Sequence, residues 1–194
     1  MSTTRSCGDI KYPISCFQHT HTLFHTKIFP YNLTSFKMPS PTSVFSAGRN
    51  ALITGAASGV GLAVAKLCAS HSMNLFLVDN NSGKLDEAKA SIKTKGTVDI
   101  YPMDVASLSD WDNLKSSVEK KLGDGKLLDF LHLNAGIGHN SDWTDNAYFH
   151  KIFDVNYFGV VNGINKFFPH FDKNEGDAKA IIVTGSKQGI TNPR

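Results

Sequence analysis

Short apolar runs alternate with amphipathic helical stretches along most of the chain, and this alternation is what most constrains the fold. The apolar runs lie at 51–54, 74–78, 98–101, 127–133 and 180–183. Short runs that are mostly apolar in this way indicate strands that are buried on both faces. Helical periodicity fills the stretches at about 59–71, 83–95, 107–122 and 144–171. In the first stretch, one face carries Val60, Ala63, Val64, Leu67 and Cys68, and in the third the helical period is kept by Trp111, Leu114, Val118 and Leu122. Buried strands alternating with helices predict an α/β fold with a doubly wound parallel sheet.

The turn after the first run carries the most specific motif. The octapeptide Thr-Gly-Ala-Ala-Ser-Gly-Val-Gly spans residues 54–61, with a strand before it and a helix after it. In this context Gly55 permits the tight turn, Gly59 lets the backbone approach a pyrophosphate, and Gly61 lets the helix pack closely on the strand. A generic tight turn remains the alternative interpretation of the glycines.

An acidic residue closes the second strand. Asp79 follows Gly61 by 18 residues, which is the place expected for a carboxylate that binds a ribose 2′-hydroxyl. A residue of this type also terminates strands simply as a turn former, and both interpretations stay open.

This octapeptide resembles the Thr-Gly-x-x-x-Gly-x-Gly signature of the short-chain dehydrogenases/reductases, and the resemblance extends from about Asn50 to the C-terminus. It implies a Rossmann-type domain over residues 48–194 with five strands present and the last strands of the family missing. The cofactor residues that it implies in this turn are Thr54, Gly55, Ser58, Gly59, Val60 and Gly61.

Two further segments are similar to cofactor-binding motifs of the family. Asp104-Val105 looks like the acidic–aliphatic pair that contacts adenine, although Asp104 is also a plausible plain strand terminus. Asn134-Ala135-Gly136 matches the end of the family's Asn-Asn-Ala-Gly motif, with Leu133 in place of the first Asn.

The resemblance also implies two catalytic residues. Asn156 matches the helix Asn of the family's proton relay, and a mid-helix Asn is unfavourable by propensity unless its side chain has a task. Ser186 follows the fifth apolar run and matches the catalytic serine. An ordinary loop serine is the alternative for Ser186.

The cofactor preference follows from charge. A carboxylate at Asp79 repels a 2′-phosphate, and Ser58 stands where NADP-preferring relatives often carry a base. We therefore expect NAD rather than NADP.

The family's general acid–base pair, Tyr-x-x-x-Lys, normally follows the serine by about a dozen residues. Only eight residues follow Ser186, and neither member of the pair is among them. Three hypotheses follow: an NAD-dependent dehydrogenase of an alcohol or carbonyl compound recorded incompletely, a truncated non-catalytic dinucleotide-binding protein, or a truncated product that does not fold stably. For the full-length form, a homo-oligomer is expected.

The chain before residue 48 has a different character. Residues 1–37 carry four basic groups and one acid, whereas residues 38–194 carry 16 of each. We expect residues 1–47 to be an unstructured leader: an over-extended N-terminus, an organelle-targeting segment or an unassigned tail. Its Cys and His residues match no standard zinc spacing, so no metal site is expected.

Charge, hydropathy and cysteine content narrow the partners. Residues 38–194 carry no net charge and so offer no electrostatic footprint for nucleic acid. The chain contains no run of 18 apolar residues, so no membrane span is predicted. Three Cys in 194 residues favour a reducing compartment, and we expect a cytoplasmic protein.

Overall fold

Five parallel strands form one sheet in the order β3-β2-β1-β4-β5. The structure is a computed structural model that describes residues 44–138, 144–172 and 178–186. All of these residues lie in the unit formed by Met38–Arg194. Most of the predicted leader, residues 1–43, is outside the described residues, whereas Val44 near its end is buried in the core with Phe45 packed against it.

The strands and helices alternate along the chain. The strands are β1 Asn50–Thr54, β2 Asn74–Asp79, β3 Val98–Pro102, β4 Phe130–Leu133 and β5 Ala180–Val183. The helices are α1 Gly59–Ser70, α2 Ser82–Ser91, α3 Leu108–Leu122, α4 Asn146–Phe153, α5 Gly159–Phe167 and α6 Pro169–Asp172. A π-helical segment, Asp154–Phe158, joins α4 to α5.

The register brings the carboxyl ends of the strands to one edge of the sheet. Thr54 at the end of β1 pairs with Val78 of β2, and Leu133 at the end of β4 pairs with Val183 of β5. All four strand pairs are parallel. The chain order reverses between β1 and β4, which is the switch point where open α/β sheets bind ligands.

The sheet is covered on both faces. One apolar cluster packs α1 and α2 on the sheet through Ala65, Cys68 and Leu85. The other packs α3 and α5 on the opposite face and includes Trp111 and Phe167. The doubly wound parallel fold with five strands is therefore confirmed.

The buried face of α1 differs from the prediction. Helical periodicity placed Val60 and Leu67 inward, but their side chains are 58% and 49% exposed. The buried residues of α1 are Gly61, Ala65, Cys68 and Ala69. Small residues face the sheet because this helix approaches the strands closely, so Val60 and Leu67 lie on its outer side, while Val64 is partly buried against the core as predicted.

The predicted helix over 144–171 is broken. Its hydrogen-bond pattern widens at the π segment Asp154–Phe158 before the α-helix resumes. Asn156 thus lies in a π segment rather than in the interior of an α-helix, and such segments are frequent at functional sites. Within the part of the chain that the structure describes, no helix is both long and apolar enough to cross a membrane.

Candidate cofactor-binding site

A cavity of about 540 Å³ opens at the carboxyl edge of the sheet. It is bounded by the ends of β1 to β4 and by α4. Ten of the twelve predicted cofactor residues line it: Gly55, Ser58, Gly59, Val60, Asp79, Asp104, Val105, Asn134, Ala135 and Gly136. The other two, Thr54 and Gly61, lie behind this wall.

Glycine is required at Gly55 and Gly61 because their surroundings leave no room for a side chain. Gly55 has a φ of +64°, and a Cβ there would lie 2.9 Å from Ala135 Cα. A Cβ on Gly61 would lie 2.1 Å from the carbonyl oxygen of Gly55. The first turn of α1 therefore packs directly on the turn that precedes it.

Gly59 differs from these two. It also has a positive φ, +52°, but no atom lies within 4 Å of the position that its Cβ would take. Gly59 is the first residue of α1 and lines the cavity.

The N-terminus of α1 is suited to an anion. Ser58 is the N-cap, its side chain makes no capping hydrogen bond, and the first turn contains no acidic residue. Free backbone N–H groups and the positive end of the helix dipole therefore point out of the helix at the cavity wall. Such an end binds phosphate groups.

Thr54 is a structural residue of this site. Its side chain is buried, and Oγ1 accepts hydrogen bonds from the backbone N–H groups of Asn134 (2.9 Å) and Ala135 (3.0 Å). The hydroxyl donates to the carbonyl of His132, at 3.4 Å. Thr54 thus fixes the end of β1 to the end of β4 and contacts the cavity only through its neighbours.

The carboxylate of Asp79 accepts hydrogen bonds from two backbone N–H groups at the cavity wall. Oδ2 accepts from the N–H of Ala57 and Oδ1 accepts from the N–H of Asn81, both at 3.1 Å. The carboxylate therefore stabilises the glycine turn and the start of α2. Because a carboxylate offers about four acceptor positions, these two bonds leave room for a ligand hydroxyl.

Asp104 and Val105 form the next part of the wall. Asp104 Oδ1 accepts from the N–H of Ala106 at 2.9 Å, so the strand-terminus interpretation also applies. The Val105 carbonyl accepts from the buried Trp111 Nε1 at 2.7 Å. These bonds place the Val105 side chain against Gly159, whose absent Cβ would lie 2.9 Å from Val105 Cγ2.

Asn156 binds the loop that follows β4. Its Oδ1 accepts from the N–H of Ile137 at 2.8 Å, and its Nδ2 donates to the Ile137 carbonyl at 2.9 Å. This pair of bonds anchors the Asn134-Ala135-Gly136 segment to the π segment. Asn156 is not itself among the residues that line the cavity.

Ser186 lies three residues beyond the end of β5 and is exposed. It is outside the cavity wall formed by the described residues. Lys187 and the residues after it are outside the described residues. The structure thus brings together most of the predicted cofactor residues, while Asn156 and Ser186 are not among the residues that line the cavity.

Residues that the sequence analysis missed also line the cavity. They include Asn80, Asn81 and Lys84 at the start of α2, Met103 and Ile137 after β3 and β4, and Tyr148, Lys151 and Val155 near the π segment. Asn81 is the N-cap of α2, and its Oδ1 accepts from the Lys84 N–H at 2.9 Å. An Asn followed three residues later by Lys is visible in the sequence as a helix N-cap with a lysine in the first turn. This pattern could have placed Asn81 and Lys84 at the start of α2, close to Asp79.

The charges of the wall balance. The lining residues include two carboxylates, Asp79 and Asp104, and two ammonium groups, Lys84 and Lys151. Lys84 belongs to the same part of the wall as Asp79, so the residues that would meet a ribose include a cation as well as an anion. Within the described ranges, no three His, Cys, Asp or Glu side chains gather as a metal site would require.

Comparison with known families identifies the family that the glycine turn resembles. Residues 49–193 match the family model described as short chain dehydrogenase. A fatty acyl-CoA reductase from Acinetobacter baylyi is 33% identical over 135 residues, which cover 66% of this chain and 44% of that protein.

Solved structures show the same fold. A 3-ketoacyl-(acyl-carrier-protein) reductase from Brucella melitensis in complex with NADH is 31% identical, with a TM-score of 0.67 over 76% of this chain and 60% of that one. L-Sorbose reductase from Gluconobacter frateurii in complex with NADPH and L-sorbose is 26% identical, with a TM-score of 0.59 over 66% and 49% of the two chains. The chain spans about half the length of the curated relatives that it matches.

Proposed function

Because the chain belongs to the short-chain dehydrogenase family of oxidoreductases, which act on small molecules, we propose that the whole protein transfers hydride between NAD and an alcohol or carbonyl substrate. The observation that carries the proposal is the uncapped N-terminus of α1 beside the open space at Gly59. An anion of pyrophosphate size has both a charge partner and room there.

The remaining wall residues suit the other parts of a dinucleotide. Asp79 has free acceptor positions for ribose hydroxyls, and Val105 offers an apolar surface beside the polar Asp104 for an adenine ring. The Asn134-Ala135-Gly136 segment would then border the nicotinamide half. When bound, the nicotinamide supplies the hydride acceptor or donor, and the protein supplies binding and orientation.

NAD is proposed over NADP because Asp79 would repel a 2′-phosphate. Lys84 lies in the same part of the wall and opposes this effect, so the preference depends on the balance of one anion and one cation. Relatives of both kinds are known, since the solved complexes contain NADH in one case and NADPH in another.

For catalysis we assign Ser186 to polarising the substrate oxygen. Asn156 supports the proton path by fixing the backbone of Ile137 on the cavity wall. We further propose a cytoplasmic protein and a homo-oligomeric full-length form. An exposed apolar row on α4 to α6 supports the oligomer: Phe153, Tyr157, Val161 and Phe168.

A second candidate function, NAD binding without catalysis, rests on a separate observation. None of the five tyrosines in the 194 residues is followed by Lys four positions later. Loss of a general acid–base group typically costs a factor of about 10²–10⁴ in rate. In this alternative, the chain as given binds NAD and does not turn over an alcohol.

Titration of the purified chain with NAD and NADP tests both candidates. We expect saturable NAD binding that is tighter than NADP binding. Asp79→Ala should reduce the preference for NAD, because the carboxylate that would repel the 2′-phosphate of NADP is removed. The ratio of the two affinities is the readout, since any damage to the glycine turn would affect both cofactors equally. Asp86→Ala, which removes an exposed carboxylate of α2 outside the cavity, is the matched control.

The outcomes separate the hypotheses. No binding of either nucleotide by folded protein would refute the dinucleotide site. An unchanged ratio in Asp79→Ala would refute the assignment of Asp79 to the ribose. Production of NADH from NAD with an alcohol panel would favour the dehydrogenase over the non-catalytic form, and binding without turnover would favour the reverse.

A further inference from the structure

A chain of hydrogen bonds links His132 of β4 and Thr184, the residue after β5, to the glycine turn. His132 on β4 is only 3% exposed, and its Nε2 lies 2.8 Å from Thr184 Oγ1. Thr184 Oγ1 lies 3.0 Å from Asn134 Oδ1. Asn134 Nδ2 donates to the carbonyl oxygens of Thr54 (3.2 Å) and Gly55 (3.4 Å).

The direction of every bond in this chain is determined. The side of the Asn134 amide that faces two carbonyl oxygens must be its NH₂ group, so the oxygen faces Thr184. The Thr184 hydroxyl must then donate to Asn134, since an amide oxygen is only an acceptor. With its proton used, the hydroxyl oxygen accepts from His132, whose Nε2 therefore carries the hydrogen.

The other ring nitrogen agrees with this assignment. Nδ1 of His132 is buried and has no hydrogen-bond partner within the described part of the chain. A hydrogen on Nδ1 would be a buried donor without an acceptor, which is unfavourable. The ring is thus held neutral with its hydrogen on Nε2. Burial also lowers the pKa of His132, which favours the neutral ring as well.

The Asn134 amide is the contact on which the glycine turn packs. The Cβ positions of Gly55 and Gly61 would lie 2.9 and 2.8 Å from Asn134 Nδ2. If the amide rotated by half a turn, its oxygen would face the two carbonyl oxygens of Thr54 and Gly55, and acceptor would oppose acceptor. The turn keeps its shape only while the amide keeps its orientation.

We propose that His132 is a positioning residue for dinucleotide binding, acting through Thr184 to fix the Asn134 amide and thereby the glycine turn. The proposal rests on the proposed function for its ligand. It also ties the segment that carries Ser186 to the turn, because Thr184 is two residues before Ser186 and its N–H donates to the Leu133 carbonyl at 3.0 Å. Cofactor binding and the end of β5 are then coupled through hydrogen bonds rather than through packing alone.

Thr184→Val and Thr184→Ser test the chain of bonds. Valine has nearly the shape of threonine but neither donates nor accepts, whereas serine keeps the hydroxyl. We expect Thr184→Val to weaken NAD binding by about fivefold or more, the effect of one net hydrogen bond, and Thr184→Ser to restore it to within about twofold. Thr97→Val, at the opposite edge of the sheet, is the control for a general loss of a threonine hydroxyl.

Nitrogen-15 NMR of the His132 ring provides a test that does not need the ligand. We expect the protonated-nitrogen signal on Nε2 and the unprotonated signal on Nδ1 at neutral pH. The opposite tautomer or a charged ring would overturn the proposal, even if a valine variant failed to fold.

The binding experiment separates this proposal from the proposed function. If wild-type protein does not bind NAD, the proposed function fails, while the ring tautomer still tests the network. If wild-type protein binds NAD and folded Thr184→Val binds it equally well with only a lower melting temperature, His132 and Thr184 are merely structural and the proposal is wrong.

Discussion

Alanine at Gly61 should mainly lower stability, whereas alanine at Gly59 should mainly weaken NAD binding. In Gly61→Ala the new Cβ would lie 2.1 Å from the Gly55 carbonyl oxygen, and real Cβ contacts almost never fall below 3.0 Å. The helix or the turn must therefore move by roughly 0.9 Å. Both are backbone, and Asn134 Nδ2 at 2.8 Å blocks one direction of escape.

The stability cost of Gly61→Ala follows from this overlap. Overpacking of a well-packed region costs about 1–3 kcal/mol and sometimes more, and a backbone obstacle leaves little room to relax. We expect about 3 kcal/mol, which lowers the melting temperature of a unit of this size by about 6–12 °C.

Gly59→Ala should leave most of the stability intact. Its Cβ meets open space, so the cost is the left-handed backbone at φ +52°, about 1–2 kcal/mol. The methyl group would, however, project where a pyrophosphate must approach the backbone. We expect NAD binding to fall by at least tenfold although the protein remains folded.

Thermal melts and NAD titrations on both variants check this pair. Gly83→Ala in α2 is the control, because its nearest neighbour lies at an ordinary 3.7 Å and alanine is the better helix former by about 1 kcal/mol. The reasoning would be refuted if Gly61→Ala melted like the wild type, or if Gly59→Ala bound NAD normally.

Three other substitutions have expected outcomes. Ser58→Asp should raise the melting temperature, because a carboxylate would cap α1 and stabilise it by about 0.5–1 kcal/mol. The same carboxylate should weaken NAD binding about tenfold or more by repelling the phosphates of NAD. Tighter NAD binding would contradict the anion site. Asn156→Ala removes both bonds to the Ile137 backbone and should lower the free energy of unfolding in urea by about 1–2 kcal/mol; an unchanged midpoint would show that the bonds contribute nothing. Burial lowers the pKa of His170, so unfolding takes up a proton below about pH 6.5 and stability should fall as the pH drops through that range. His170→Gln should flatten this decline and the exposed control His150→Gln should not; equal slopes in all three proteins would refute the assignment.

The sheet was predictable from the sequence because buried parallel strands have a simple signature. The range 180–183 of β5 and the buried positions of α3, including Trp111 and Val118, are where the pattern placed them. Short apolar runs and helical periodicity indicate the elements themselves, although Ile182 and Val183 of the edge strand β5 are 46% and 47% exposed. The glycine turn was predictable for a similar reason, since its residue types are dictated by backbone conformation and close packing.

Other features were not predictable from local pattern. Val60 and Leu67 are exposed because the distance between α1 and the sheet, not hydrophobicity, decides which residues face inward. Hydrophobic periodicity does not reveal the π segment around Asn156 or the hydrogen bond of Asn156 to Ile137. His132 was hidden within an apolar run, and its partner Thr184 is 52 residues away.

Mapping NAD binding onto the backbone by amide NMR tests the central claim most directly. Amide signals of residues 58–61 at the N-terminus of α1, together with those of Asp79, Val105 and Gly136, should shift on titration with NAD and saturate together. A second, smaller cavity of about 220 Å³ lies between β3 and α3 and includes Asn113 in its lining. Amide signals of the residues that line this smaller cavity should move little. Saturable shifts confined to that smaller cavity, or no shifts at all in folded protein, would contradict a dinucleotide site at the glycine turn.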